Sequence, residues 1–359
     1  MKKICLWIIG LMCAAAIISA EPSAELVTAA KKEGTLTVYS TTSRVSSAAK
    51  SFEAKYGIKV QTANLKDGEL VEKVSTEVGN GVAGADMVIC QDGARVYGEL
   101  INPGYLVNYV PEDMKKLMPE GDQNPLIFQF INKVFIFNNE KNETEPAKNV
   151  WAFTDPEWKG RIQFKDPNTE GVNANFLTML VTDEWAGKLA AAYKEHYGKD
   201  YAGEYENAGY AWIAGFFANA VMGNSDTTIS ENVGTKGQEK EIAGLFVLSK
   251  SRYEATKNLA LKPMTEVKPF SGFYYPLFTM LTKNAKNPNA AKLFIDYLMT
   301  AEGFKPWSSD VGAYSGNPEI PANKGDFDFK FWRERLVPED PARTYEKRAE
   351  VEEFVNNIL

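Results

Sequence analysis

NVWAFTDPEWKGRIQFKDPNTEG, residues 149–171, decides how the chain is read. Its opening is a surface loop. Arg161 to Lys165, RIQFK, alternates so that Ile162 and Phe164 share one face of a short strand. DPNTEG then breaks the strand, and Val172, Phe176, Leu177 and Leu180 recur at helical spacing. A polar turn between a strand's carboxyl end and a helix's amino end leaves backbone N–H groups free for solvent or a ligand. The segment is therefore a strand–turn–helix unit whose turn is a candidate binding position.

The same alternation recurs outward from it. Thr35 to Tyr39 reads as a strand, followed by a helix carrying Val45, Ala48, Ala49, Phe52 and Tyr56 on one face. Lys59 to Thr62 is a second strand, and Leu70, Val71, Val74 and Val78 line a second helix. Asp86 to Cys90 is an apolar strand opening into Gln91-Asp92-Gly93, and INPG (residues 101–104) stops the helix beyond it. Further on, KVFIFN (133–138) and FYYPLFTML (273–281) are strongly apolar strands. Asn287-Pro288 starts a helix bearing Ala290, Ala291, Phe294, Ile295, Leu298 and Met299; proline is apt there because its missing N–H needs no partner. Strands alternating with helices argue for an α/β fold with largely parallel sheets. No internal repeat or low-complexity segment interrupts it.

The first twenty residues read as a secretory leader: Lys2 and Lys3, an apolar run from Ile4 to Ile18, and a small-residue cleavage site at Ile18-Ser19-Ala20. Lipid attachment at Cys13 is the rival reading, although Met12 fits poorly before a lipidated cysteine. Cleavage removes Cys5 and Cys13 and leaves Cys90 alone, so no internal disulfide is expected and the fold must stand on its core. Net charge is −7 with both signs interspersed, and no basic stripe suggests nucleic acid.

The run from Trp151 to Gly160, WAFTDPEWKG, followed by a strand and Asp166-Pro167, resembles the solute-binding proteins of ABC importers. The ferric-binding-protein-like branch, extracellular solute-binding family 1, is the nearest in appearance. KNAKNPNAAKLFIDYLMTAEG (283–303) resembles the same family. The resemblance implies a two-lobed periplasmic-binding-protein fold of type II, each lobe a mixed, mostly parallel sheet flanked by helices, with two crossing strands as the hinge. Residues 21–130 and 278–320 would form one lobe, 131–277 the other, and 321–359 a C-terminal helical segment packed on the second. It also implies a periplasmic or otherwise exported monomer that takes a small-molecule solute to a permease and its ATPase, with no cofactor.

In open α/β sheets ligands sit outside the carboxyl ends of the strands, so the turns are where to look. Ser40-Thr41-Thr42-Ser43-Arg44 offers four hydroxyls and a guanidinium where a helix begins; Arg44 is either an anion clamp or a solvated residue beside a plain N-cap. Gln91-Asp92 is a second candidate. Asn168, Thr169 and Glu170 are a third, with Glu170 favouring a ligand bearing hydroxyls or an amine if it faces the cleft. Ser225 and Asp226 form a polar cluster with Asn224 and Thr227, and Ser249-Lys250-Ser251 follows the strand 243–248.

That last turn bears on ligand class. Iron-binding members of the resembled family place two adjacent tyrosines there, since hard ferric iron favours phenolate oxygen; this chain has Ser249-Lys250. Tyr274-Tyr275 lies in a strand, where neighbours point to opposite faces. Hydroxyls with Lys and Arg suit phosphate or a similar anion better, so an anionic organic solute is expected, with ferric iron as alternative. Catalysis has little support, and the chain is expected not to be an enzyme. The single histidine, His196, sits near a helix end, no nucleophile or Walker motif occurs, and a carboxylate acid–base pair at Asp166 and Glu170 is the remaining enzymatic reading.

Overall fold

The computed structural model describes residues 22–359; the expected leader and Cys13 lie outside the described residues. Eight strands form the main path of one curled sheet: β1 (Leu36–Ser40), β2 (Val60–Asn64), β3 (Met87–Cys90), β4 (Ile127–Phe137), β5 (Ile162–Lys165), β6 (Ala220–Gly223), β7 (Ala243–Val247) and β8 (Gly272–Thr282). Their spatial order is β2-β1-β3-β8-β4-β7-β5-β6, with four short strands pairing along β4 and β8. Pairing is parallel within β2-β1-β3 and within β7-β5-β6. It is antiparallel where β8 meets β3, where β4 meets β7, and between β4 and β8.

The two eleven-residue strands β4 and β8 thus belong to both halves of the molecule. Phe278 to Leu281 of β8 pair with Cys90 to Met87 in the first half, while Lys133 to Phe137 of β4 pair with Val247 to Ala243 in the second. β4 begins at Ile127, six residues before the apolar run that announces it. Gln129 and Asn132 are buried polar residues that interrupt the pattern and conceal its first half.

Helices cover the sheet as their periodicity requires. α1 (Val45–Tyr56) buries Val45, Ala48, Ala49 and Phe52, and ends at Gly57, whose left-handed φ of 73° suits a residue without a side chain. α2 (Asp67–Gly79) buries Leu70, Val71, Val74 and Val78. α3 (Gly171–Leu180) is buried on every side, in keeping with its central place. α4 (Asp226–Gly234) is capped by Ser225, whose Oγ accepts the Thr228 N–H. α5 (Ala301–Ser308) follows the Pro288–Leu298 helix. The last helix, α6 (Pro341–Ile358), packs on α3 and the 208–219 helix of the second half and equally on the helical segment 93–101 of the first.

Trp151, Trp158 and Trp212 are core residues, each nearly or fully buried. Trp151 donates its indole N–H to Leu189 O, and His196 binds the Asp155 carboxylate of the same loop at 2.8 Å. The loop at 149–160 therefore fastens to the 183–197 helix. Among the described residues, no helix is long and apolar enough to cross a membrane.

Candidate functional site: a polar cleft between the halves

A cleft opens where the carboxyl ends of both parallel strand sets face each other. β4 and β8 make its floor. Gln129 and Ile131 pair with Leu277 and Tyr275, and strand alternation puts all four on one face. The first half contributes Thr41, Thr42, Ser43 and Arg44 after β1, Asn64 at the end of β2, and Gln91 after β3; Trp307 and Asp310 close that side from α5 and the turn beyond it. Across the gap stand Lys165, Ser225, Asp226, Thr227, Ser249, Lys250 and Arg252.

This chamber holds about 470 Å³. It continues into a second of about 680 Å³, the two sharing Thr41, Asn64, Gln91 and Lys165. The second runs along Leu65, Lys66, Asp67 and Glu69 on one side and Thr169, Glu170 and Asn224 on the other. Both volumes fall in the range of small-molecule clefts.

The turns singled out in the sequence therefore converge, with exceptions. Ser40 is fully buried and shapes its turn, its Oγ accepting the Thr42 N–H at 3.1 Å. Asp92 is also buried, at a left-handed φ of 65°, and its carboxylate is taken by Arg348 and Asn175. Asn168 is exposed and bonded to Asn356, and Ser251 does not line the cavity. Local turn chemistry marks all four as candidates, but contacts from distant segments or a turned-away side chain remove them from the cleft.

Glu170 does face the cleft, but it is already engaged. It pairs with Lys133 and with Lys165, the latter at 2.9 Å. Asp226 lies 3.6 Å from Lys133 and 3.7 Å from Lys165 and accepts the Val247 N–H. Burial works against the charge on Lys133, yet Asp226 and Glu170 hold its pKa above the ordinary lysine value. Burial likewise works against Asp226, but Lys133 and Lys165 keep its carboxyl below the usual range. Two cations and two anions thus satisfy one another in the cleft wall. Asp166, its suggested catalytic partner, is not in the cleft and accepts the Asn168 N–H.

Sequence reasoning missed Lys133, Lys165, Asn64, Asp67, Gln129, Tyr275, Trp307 and Asp310. A signal existed for Lys133: it heads the apolar run 133–138, and a lysine buried with such a run needs a charge partner.

The remaining cations are unevenly satisfied. Arg44 pairs with Asp310 and donates to Pro306 O, and Arg252 lies 3.8 Å from the same Asp310. One carboxylate therefore serves guanidinium groups from both halves. Lys250 donates to Thr227 Oγ1 at 2.8 Å and to Tyr253 Oη at 3.3 Å, and sits over the Tyr253 ring. Among the described residues, no carboxylate pairs with it.

Among the described residues, three buried polar atoms on cleft-lining residues have no partner: Thr41 Oγ1, Gln129 Oε1 and Trp307 Nε1. Such atoms cost stability unless something else satisfies them. Tyr274 and Tyr275 do point to opposite faces. Tyr274 packs on Phe130 and Phe329 behind the sheet, while Tyr275 lines the cleft. Burial, with Glu170 and Asp226 nearby, pushes the Tyr275 phenol well above its ordinary pKa.

The model of the family described as bacterial extracellular solute-binding protein matches residues 47–335. Iron uptake protein A1 of Synechocystis sp. is 23% identical over 291 residues, covering 76% of this chain and 72% of that protein. Iron-bound HitA from Pseudomonas aeruginosa superposes with a TM-score of 0.70 at 18% identity, covering 90% of this chain and 99% of HitA. AfuA from Actinobacillus pleuropneumoniae, solved with exogenous fructose-6-phosphate bound, gives 0.63 at 21% identity, covering 90% and 97%. The fold is the type II periplasmic-binding-protein architecture, and the chain belongs to the bacterial extracellular solute-binding protein family.

Proposed function

We propose that this receptor captures a small organic anion, phosphorylated or similar, between its halves and hands it to an ABC permease in the extracytoplasmic space. The observation that carries this reading is Lys250, a cation in the cleft wall with no carboxylate partner among the described residues. Around it, apart from the mutually satisfied Lys133, Lys165, Glu170 and Asp226, the first chamber sets Arg44, Lys250 and Arg252 against only Asp310. A phosphate or carboxylate there gains charge-assisted hydrogen bonds from both halves, which favours the closed state over the open one. Thr42 and Ser43 lie at the start of α1, where an anion is also favoured by the helix N-terminus.

Ferric iron is the second reading, suggested by the names of Iron uptake protein A1 and HitA. Against it stand Ser249-Lys250 in the turn after β7, and a Tyr274-Tyr275 pair split across the sheet. A thermal-shift screen of organic phosphates, other carboxylate and phosphonate anions and ferric citrate tests both, since ligand binding to the native state raises the melting temperature. Stabilisation by an organic anion and a colourless protein with ferric citrate support the first reading. A coloured ferric–phenolate complex supports the second.

A further inference from the structure

The second chamber differs from the first in a way that bears on the far end of the ligand. Its charged residues are Lys66 and Lys165 against Asp67, Glu69 and Glu170, so its balance is the reverse of the Lys250 end. Glu170 is neutralised by its lysines, and Glu69 accepts the Lys66 backbone N–H at the start of α2. Asp67 remains. Its Oδ2 accepts a hydrogen bond from Gln91 Nε2 at 3.0 Å, and its Oδ1 takes none among the described residues. No cation pairs with it among the described residues. Burial pushes its carboxyl up to about 6, with Asp92 and Glu170 adding to the effect and Gln91 and Lys165 opposing it.

The same chamber is lined by Thr41, on the boundary of the two chambers, whose buried Oγ1 has no partner among the described residues. Asn64 and Gln91 share that boundary. An acceptor-only oxygen, an orphan hydroxyl and two amides form a surface that lacks a donor-rich partner. It cannot be the anion's seat, because a second carboxylate or phosphate beside Asp67 would be repelled.

We propose that the cleft is two-ended: Asp67, with Thr41 and Gln91, forms a subsite for hydrogen-bond donors on the end of the ligand opposite its anion. The proposal rests on the anionic-solute reading above and specifies it. The ligand class is an organic phosphate or related anion that also carries hydroxyl or ammonium groups, rather than a bare oxyanion or an alkyl phosphate. Donors at Asp67 also discriminate more sharply than apolar contacts do, since a ligand lacking them leaves a desolvated carboxylate unpaired.

Isothermal titration of the intact mature protein with four probes tests this. They are a hexose 6-phosphate (hydroxyl donors), 3-aminopropyl phosphate (an ammonium donor), n-propyl phosphate (no distal donor) and orthophosphate. At least one donor-bearing probe should bind about tenfold more tightly than n-propyl phosphate, and which one does so distinguishes hydroxyl from ammonium. Asp67→Asn keeps an acceptor for Gln91, and should bring that ratio to within about threefold. Thr41→Val, which removes only the orphan hydroxyl, should reduce the ratio in the same direction. Equal affinities for donor-bearing probes and n-propyl phosphate, or a ratio that survives Asp67→Asn, would overturn the two-ended site but leave the anion seat standing. Failure of all four probes to bind would instead remove the anionic-solute reading, and the subsite with it.

Discussion

Arg348, midway along the C-terminal helix, ion-pairs with the buried carboxylate of Asp92 in the turn after β3. Asn175 on α3 joins the pair, donating to Asp92 at 3.1 Å and accepting from Arg348 at 3.2 Å. Residues from the first half, the second half and the C-terminal helix therefore meet at one carboxylate, next to Gln91 of the cleft wall. Arg348→Ala leaves Asp92 buried without its cation, and should cost about 3–5 kcal/mol in urea unfolding. Asp92→Asn in the same background should recover part of that loss, as a double-mutant cycle would record.

Glu339 adds a pH dependence to this junction. Its Oε1 accepts from Gly93 N and Asn175 Nδ2, while its buried Oε2 has no partner among the described residues. Burial and the neighbouring Asp92 push its carboxyl up to about 8, against the pull of the Gly93 N–H, Arg348 and Asn175. The native state then holds a proton that the unfolded chain releases above its ordinary carboxyl range. Stability should fall as pH rises from about 4.5 to about 8, by at most about 1.4 kcal/mol per pH unit for one proton. Glu339→Gln should flatten that decline, with the variant gaining on the parent as pH rises. Parallel pH profiles of melting temperature for the two proteins would contradict the assignment.

Gly171, the first residue of α3, lies against the Asp92 carboxylate at this junction. A Cβ there would stand 1.9 Å from Asp92 Oδ2. Gly171→Ala must displace the Asp92 turn, costing about 1–3 kcal/mol as overpacking does. Because Gln91 moves with that turn, ligand affinity should fall as well, which calorimetry on the folded variant would register.

Lys133 tests the buried charge cluster. Lys133→Met leaves Glu170 and Asp226 sharing only Lys165, and should destabilise by about 3–5 kcal/mol. Adding Glu170→Gln removes one of the uncompensated charges and should restore part of the loss. Additive effects of the two substitutions would mean that the cluster is not a unit.

The parts of the site visible in the sequence are those set by local turn chemistry. Thr41 to Arg44, Gln91, Thr169, Glu170, Ser225, Asp226, Ser249 and Lys250 follow strands and reach the cleft because strand ends with parallel neighbours face it. The floor was not visible. Gln129 and Tyr275 sit in strands buried on both faces, where alternation is masked by apolar neighbours. Nor were the long-range pairings: Arg44 meets Asp310, 266 positions later, and Asp92 meets Arg348, 256 positions later. Such contacts turned one expected ligand carboxylate into a structural one and partly neutralised the expected clamp. The C-terminal helix packs on both halves for the same reason, since its partners 93–101 and 171–180 are adjacent only once the chain has folded.

The most direct test of the central claim is calorimetric titration of organic phosphates into the mature protein, freed of bound ligand, and into Lys250→Ala. One molecule should bind per chain, and the substitution should weaken it by about tenfold to a hundredfold, the worth of one hydrogen bond to a charged group. Unchanged affinity in Lys250→Ala, or tight binding of ferric iron alone with a phenolate colour, would contradict the account.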